Sequence, residues 1–564
     1  MQLDYRLKAA VSVMIAALLI GAHTQVATAQ EPRMVKDINP GGSSNPDELI
    51  YFNGVLYMRA NDGSTGDELW KSDGTEAGTV LVKDINPQGN SVIRWLTEVG
   101  GTLFFQANDG NNGQELWKSD GTTSGTMFVK DINPGGHAAL SWLTDVGGTL
   151  FFQANDGTHG AELWKSDGTE AGTQLVKDLT VSSGSGNSNG RPRDLINFNN
   201  TLYFWATKSN GHSDVWKSDG TEAGTVIIQG ENWMREPVVV NGTLFFQGFA
   251  GTRGNELFKI DNATGEPVLI KNIHPEGNDS DSFPEALTRV GSTLFFNADD
   301  GSLGRELWKS DGTESGTVLV KDIHPGSGSS MPREGIANDL EDVDGTLFFR
   351  ADDGTTGKEL WKSDGTAAGT VLVKDIHPTG SSNPSEITNV DGMAYFRADD
   401  GQHGVELWRS DGTAAGTVMI KDIHPTGKST PVEFTVVNGK LYFSANDGFN
   451  GRELWVLDAM TTSVEQNHTV PEVFALSQNY PNPFNPETTI QYHLGETTSV
   501  KLQVYDLLGR LVTTLLDEGR QEIGSYTVSW DGRDANGRQV ASGVYVYRLT
   551  TQHQSLSQKM IFMK

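Results

Sequence analysis

Four histidines, His274, His324, His377 and His424, stand at one register of this chain, each followed by proline, as in Lys321-Asp322-Ile323-His324-Pro325. Imidazoles at a shared register suggest zinc, whose ligand nitrogens must lie within about 4 Å of one another, given Zn–N bonds near 2 Å. These histidines recur one per repeat, and stacked sheets lie about 10 Å apart, so they cannot converge on one ion. Asn39, Asn86 and Asn133 fill the same slot elsewhere, which points to a polar turn residue before proline, and no metal ligand set is assigned. Aspartates precede glycine at Asp62, Asp109, Asp156, Asp300, Asp353, Asp400 and Asp447. Their oxygens suit Ca2+, but the spacing of an EF-hand loop is missing, and Asx turns account for the pattern. Calcium is the one candidate ion, and no cofactor is firmly implied.

Catalysis by paired carboxylates needs a singular pair, whereas Glu68, Glu115, Glu162, Glu306, Glu359, Glu406 and Glu453 stand out because they repeat. No Ser-His-Asp order, HExxH helix, phosphate-cradling loop or dinucleotide fingerprint stands in a suitable context, so no catalytic residue is assigned. Trp95, Trp142, Trp205 and Trp233 lie outside the register of the repeated aromatics. They either pack inside the protein or stack on sugar rings, and they are the candidate ligand-binding residues.

The elements that carry these residues repeat. ELWKSDGTEAGTVLVKDINP, residues 68–87, recurs in nine copies anchored at Trp70, Trp117, Trp164, Trp216, Phe258, Trp308, Trp361, Trp408 and Trp455. Within one unit, SVIRWLTEV, TLFFQA, QELWKS and TMFVKDI are separated by Gly100-Gly101, NDGNNG and DGTTSG, which reads as four short strands with turns between them. Pairs such as Asn53-Gly54 and Asn438-Gly439 suit two-residue hairpins that need positive φ. A four-stranded meander at this period makes a propeller blade; a β-solenoid, whose coils are usually about half as long or less, is the alternative. MVKDINP, residues 34–40, is a fourth strand with no first three, and Trp455 sits in a third strand with no fourth after it. Each completes the other, which closes a ring.

The expectation is an all-β chain: a β-propeller of about nine four-stranded blades over residues 34–458, closed by an N-terminal strand. Nine exceeds the usual range of about four to eight, so a split into two sub-rings, or a degenerate blade around Phe258, is the alternative. The unit around Phe258 departs most from the repeat. The repeated aromatic is expected between adjacent blades. Specificity is expected in the irregular loops around 181–194 and 326–339, on the face shared with the turns joining second to third strands.

Composition narrows the partners. The formal charge of −29, from 43 basic and 72 acidic residues, disfavours nucleic acid and anionic membranes. With no cysteine, disulfides and thiolate sites are excluded. Arg6 and Lys8 precede an apolar run over residues 9–22, and Ala27-Thr28-Ala29 offers a small-x-small cleavage site. Residues 1–29 read as a signal peptide cleaved after Ala29, giving a soluble mature chain that is expected to be a monomer.

After a linker, 459–473, residues 474–564 form a second domain. Alternating Val500, Leu502 and Val504, with Asp-Gly and Asn-Gly turns, read as strands of a small β-sandwich. Its markers are Tyr480-Pro481-Asn482-Pro483-Phe484-Asn485-Pro486, Tyr505-Asp506-Leu507-Leu508-Gly509-Arg510, Gly543-Val544-Tyr545 and the terminal Lys564. On these the segment resembles the type A C-terminal sorting domain of the type IX secretion system, and the immunoglobulin-like fold of the flagellar-hook capping protein. The resemblance implies a sorting signal carried by Tyr480, Pro481, Asn482, Pro483, Gly509, Arg510, Gly543, Tyr545 and Lys564. It also implies export through the periplasm and a translocon as partner. The repeat region resembles the bacterial ELWxxDGT repeat family, which brings a fold expectation and no reaction. The expected function is a secreted or surface-displayed, non-catalytic binding or adhesion module for extracellular polysaccharide or protein. An exported polysaccharide hydrolase or lyase, with its site on the loop face, and a structural surface-layer component are the alternatives.

Overall fold

Short runs rich in valine, leucine and phenylalanine fold as strands throughout the computed structural model of the chain. It describes residues 31–458 except 181–188, 209–210, 230–232, 250, 252–253, 276–280 and 332–339; towards the C-terminus it describes 475–476, 479, 482, 484, 487–494, 498–506, 510–521, 524–551 and 555–562. Two compact units emerge, Met1–Thr461 and Thr462–Lys564. Among the described residues no helix is long and apolar enough to cross a membrane.

The first unit holds nine four-stranded antiparallel sheets among its described residues, each a meander in chain order apart from the closing one. Blade 1 runs from Asp47–Phe52 to Val80–Lys83, blade 3 from Ser141–Val146 to Gln174–Lys177 and blade 4 from Arg193–Phe198 to Val226–Gln229. Blade 2 runs Arg94–Val99, Thr102–Asn108, Gln114–Ser119 and Met127–Lys130, with Phe105 opposite Trp117 and Ala107 opposite Glu115. The first strand of every blade touches the first strands of its neighbours, and the cycle closes between Val432–Val437 and Asp47–Phe52. First strands therefore line an axis, and the chain is a nine-bladed propeller. Blade 9 takes three strands from residues 432–458 and its fourth from Arg33–Lys36, with Met34 opposite Trp455. The unit around Phe258 is a complete blade, blade 5.

The repeated motif acts at blade seams. Trp117 is buried against Phe52 and Tyr57 of blade 1 and against Leu103 and Phe105 of its own blade. Lys83 of blade 1 places its ammonium 5.7 Å from that ring centroid and donates to the Thr126 carbonyl at 2.7 Å. Lys71 donates likewise to the Gly121 carbonyl, 2.9 Å. At the ring closure the N-terminal strand supplies the equivalent ties, Arg33 to the Gly74 carbonyl at 2.8 Å and Lys36 to the Thr79 carbonyl at 2.9 Å.

Glu115, the repeated glutamate, is fully buried. It accepts the backbone N–H groups of Ile132 at 2.8 Å and Ala138 at 3.0 Å, pinning the loop that leads to the next blade. Burial pushes its carboxyl up to about 7 against those stabilising bonds. The histidine slot is a packing position: a Cβ on Gly401 would lie 2.6 Å from His377 Nε2, and one on Gly110 would lie 2.8 Å from Asn86 Oδ1. Histidine and asparagine thus form the same wall against the glycine of the following blade.

The second unit is a β-sandwich. Its sheets are Ala475–Leu476, Thr488–Leu494 and Gly524–Trp530 on one side, and Leu511–Gln521, Thr498–Asp506, Gly543–Thr550 and Ser555–Phe562 on the other. Phe484, Ile490, Leu502, Trp530, Tyr547 and Phe562 fill the core.

Candidate functional site at the channel mouth

Near the start of the first strand the pairing register breaks in eight blades, for example between Arg94 and Thr97, Ser141 and Thr144, and Arg193 and Ile196. One residue in each break has positive φ: Glu48 52°, Trp95 61°, Trp142 59°, Asp194 51°, Glu236 47°, Ala286 55°, Glu386 57° and Glu433 61°. A residue with a side chain costs roughly 1–2 kcal/mol in that conformation, yet none of the eight is glycine. The bulge re-aims a side chain, and the side chain is what the position keeps. Because first strands line the axis, and this end of the strand follows the loop from the preceding blade, the eight residues encircle one mouth of the channel.

Five of the eight are acids, and four of these tie one blade to the next. Glu48 Oε2 accepts the Trp95 N–H at 2.7 Å, and Glu236 Oε2 accepts the Ala286 N–H at 2.6 Å. Glu433 accepts from Leu49 across the ring closure, and Asp194 accepts from Glu236. First strands share no sheet, so these carboxylates, with bonds such as Asn197 Nδ2 to the Asp145 carbonyl at 3.1 Å, join them through side chains. Burial raises the carboxyls of Asp194 and Glu236. Glu433 is raised by burial first and then by Asp47. Glu433, Asp47, Glu48 and Arg94 line a polar cavity of about 450 Å³ between blades 9, 1 and 2.

Blades 2, 3 and 6 break the pattern, blade 6 with Ala286. Trp95 and Trp142 replace the carboxylates, and their ring centroids lie 6.0 Å apart at 37°. Trp95 is 38% exposed, and Trp142 is half-buried. Of the four singled-out tryptophans, these two are brought together. Trp205 packs partly into the core between blades 4 and 5, and its Nε1 donates to Asp194 Oδ2 at 2.6 Å. Trp233 stacks on Phe249 at 4.9 Å.

The aspartates of the Asp-Gly turns are occupied as caps: Asp62 Oδ1 accepts the N–H groups of Ser64 at 2.8 Å and Thr65 at 2.7 Å. Among the described residues no group of three or more His, Asp or Glu side chains could hold a metal ion.

Of the sorting residues, Asn482 accepts the Ile561 N–H at 2.8 Å. Tyr545 donates to the Ala541 carbonyl at 2.8 Å, and Arg510 pairs with Asp506 at 2.7 Å. Gly543 opens the strand Gly543–Thr550. Tyr480, Pro481, Pro483, Gly509 and Lys564 lie outside the described residues, as do Ala27 and Ala29 of the cleavage site.

Sequence reasoning missed the axial carboxylates. A usable signal exists: Glu48, Trp95, Trp142, Asp194, Glu236, Ala286, Asp339, Glu386 and Glu433 each stand five residues before their hairpin pair.

Comparison with known proteins adds to this picture at the C-terminus. Residues 485–555 match the FlgD Ig-like domain family, in agreement with the sandwich. No curated protein matches the chain. Among solved structures, PorZ, a surface component of the type IX secretion system of Porphyromonas gingivalis, aligns at 12% identity over 91% of this chain and 80% of its own, with TM-score 0.23. FlgD of P. aeruginosa aligns at 26% identity over 13% of this chain and 57% of its own, with TM-score 0.11. A prolyl endopeptidase aligns at 13% identity over 72% of this chain, with TM-score 0.35, and this chain spans 59% of that enzyme's length. None of these superpositions transfers a residue to this protein, and the propeller assignment rests on its own sheet topology.

Proposed function

We propose that this chain is an exported, non-catalytic binding protein that takes extracellular polysaccharide at the channel mouth over blades 2 and 3. The observation that carries the reading is the replacement of axial carboxylates by Trp95 and Trp142, whose rings approach to 6.0 Å. Exposed indoles offer flat apolar faces for sugar rings, and the neighbouring backbone and carboxylates offer acceptors for hydroxyls. Glu48, Asp194, Glu236 and Glu433 hold backbone N–H groups of neighbouring blades, which favours a structural over a catalytic role for them.

Export is proposed from the sequence. Residues 1–29 would act as a signal peptide, 34–458 as an ELWxxDGT propeller, 459–473 as a linker, and 474–564 as a type A sorting domain read by a type IX translocon. The mature protein would then stand at the cell surface or in the medium. The Ig-like family match supports the fold of that tail, and the sorting motif supports its role. Loss of residues 474–564 should retain the protein in the periplasm; undiminished release would refute the sorting assignment.

One observation favours a second reading. Glu433, with its carboxyl raised by burial, borders a polar cavity with Asp47 and Glu48, and a perturbed carboxylic acid in a cleft is what a glycoside hydrolase or lyase needs. A glycan array combined with product analysis on the mature chain separates the two. Retention without product supports binding, and product formation abolished by Glu433→Gln supports the enzyme.

A further inference from the structure

Several arginines at this mouth are held by side-chain bonds, two of them to carboxylates. Arg59 pairs with Asp47, and Arg305 lies 3.1 Å from Glu285. Arg397 donates to Ser385 Oγ at 2.7 Å, and Arg452 donates to the Ser444 carbonyl at 2.9 Å. Among the arginines without a side-chain bond, which include Arg94 and Arg235, two share one cavity. Arg191 and Arg193, on the segment entering blade 4, are exposed, and neither guanidinium has a hydrogen-bond or ion-pair partner among the described residues. Arg193 lies 5.7 Å over the Trp205 ring. Both border a cavity of about 280 Å³ whose other walls are Trp142, Ser141, Gln153 and Ala161.

The chemistry of that cavity is specific. Two guanidinium groups face one space in a chain of net charge −29, with Asp194 attracting Arg193 through space. Trp142 supplies an apolar wall, which Trp95 extends from the adjacent blade. Gln153 donates to Ser141 Oγ at 2.9 Å, leaving amide and hydroxyl oxygens to accept from ligand hydroxyls. The adjacent Asp194 is already occupied by the Trp205 indole N–H, so it does not neutralise the pair by a direct bond.

We infer that the cavity between blades 3 and 4 is a subsite for an anionic saccharide residue, a pyranose bearing a carboxylate or a sulfate ester. The ring face lies on Trp142, and the anionic group lies between Arg191 and Arg193, planar forks suited to bidentate recognition of such oxyanions. The inference rests on the polysaccharide-binding reading above and narrows it to one charge class.

The test is calorimetric titration of the mature chain with an oligogalacturonate, a sulfated galactan oligosaccharide, a neutral galactan oligosaccharide and poly-glutamate. One or both anionic sugars should bind, and which one binds identifies the oxyanion. The neutral sugar should bind at least roughly tenfold more weakly. The double variant Arg191→Gln/Arg193→Gln, both at exposed positions, should lose roughly 10- to 100-fold for the anionic sugar while barely changing the neutral one, as expected for charge-assisted bonds. Trp142→Ala should weaken binding of both sugars. Neutral sugar bound as tightly as anionic, or an unaffected double variant with an unchanged melting curve, overturns the subsite but leaves polysaccharide binding standing. Binding of no sugar overturns both. Poly-glutamate bound as tightly as the sugars, with Trp142→Ala silent, would make this a site for acidic protein instead.

Discussion

Trp117 offers a direct test of how the propeller is held together. Its side chain is 6% exposed, seated between blades 1 and 2, edge-on to Phe128 at 5.8 Å and beneath Lys83. A buried tryptophan removes about 150–250 Å² from water, which at about 25 cal/mol/Å² amounts to roughly 4–6 kcal/mol as an upper bound. Trp117→Ala should therefore cost about 3–5 kcal/mol, allowing for partial collapse of the seam. The indole N–H of Trp117 finds no acceptor among the described residues, and an unpaired buried donor costs about 1–3 kcal/mol. Trp117→Phe loses some area but also removes that donor, so it should cost only about 1 kcal/mol. Blade 5 already carries the phenylalanine version: Phe258 is 4% exposed and stacks on Phe246 at 5.7 Å. The assay is equilibrium urea denaturation, comparing midpoints at constant slope. An unshifted midpoint for Trp117→Ala would refute the seam assignment. A Trp117→Phe variant as damaged as Trp117→Ala would show that the indole N–H is engaged after all.

Three further outcomes follow from the same geometry. The carboxyls of Glu68, Glu115, Glu162 and Glu256 are pushed up by burial to about 7, above their unfolded range. Their contribution is therefore fully present below about 4.5 and is lost as pH rises through about 7. Turn aspartates such as Asp62, held low by the N–H and hydroxyl groups of Ser64 and Thr65 despite partial burial, lose theirs only as pH falls below about 4. Urea midpoints should thus peak on the acid side of neutrality, and a peak at pH 8 or above would contradict the buried glutamates. Gly401→Ala should destabilise by about 2–4 kcal/mol, because φ is +77° and the new Cβ meets His377; adding His377→Ala should recover the steric part and leave roughly 1–2 kcal/mol of backbone strain. No recovery in the double variant would show that backbone strain is the whole cost. Removing residues 31–38 deletes the closing strand and leaves Arg452–Asp458 as a bare edge; size-exclusion chromatography should show association, and a monomer of unchanged stability would refute closure.

The fold was readable because a repeat restates its constraints in every unit. The hairpin pairs, the glutamate and the anchoring aromatic each recur at fixed spacing, so one wrong residue could not mislead. The orphan strands at residues 34–40 and 453–458 revealed closure because strand count per blade is fixed by the meander. The candidate site was only half visible. Trp95 and Trp142 stood out as irregular aromatics, but the position they share with Glu48, Asp194, Glu236 and Glu433 is defined by a bulge, and a one-residue break in register leaves no mark in hydrophobic alternation. Arg191 and Arg193 were hidden for a different reason: what distinguishes them is the cavity they share with Trp142, which forms only when blades 3 and 4 meet. Trp205 and Trp233 show the converse. Both looked as available as Trp95, yet one is bonded to Asp194 and the other is stacked on Phe249.

The central claim is that blades 2 to 4 of the channel mouth form a saccharide site, and the most direct measurement is a crystal structure of the mature chain soaked with the oligosaccharide it retains on an array. A sugar ring should lie in van der Waals contact with Trp95 or Trp142, with its anionic group between Arg191 and Arg193. Density on the opposite face, among the turns joining third to fourth strands, would contradict it.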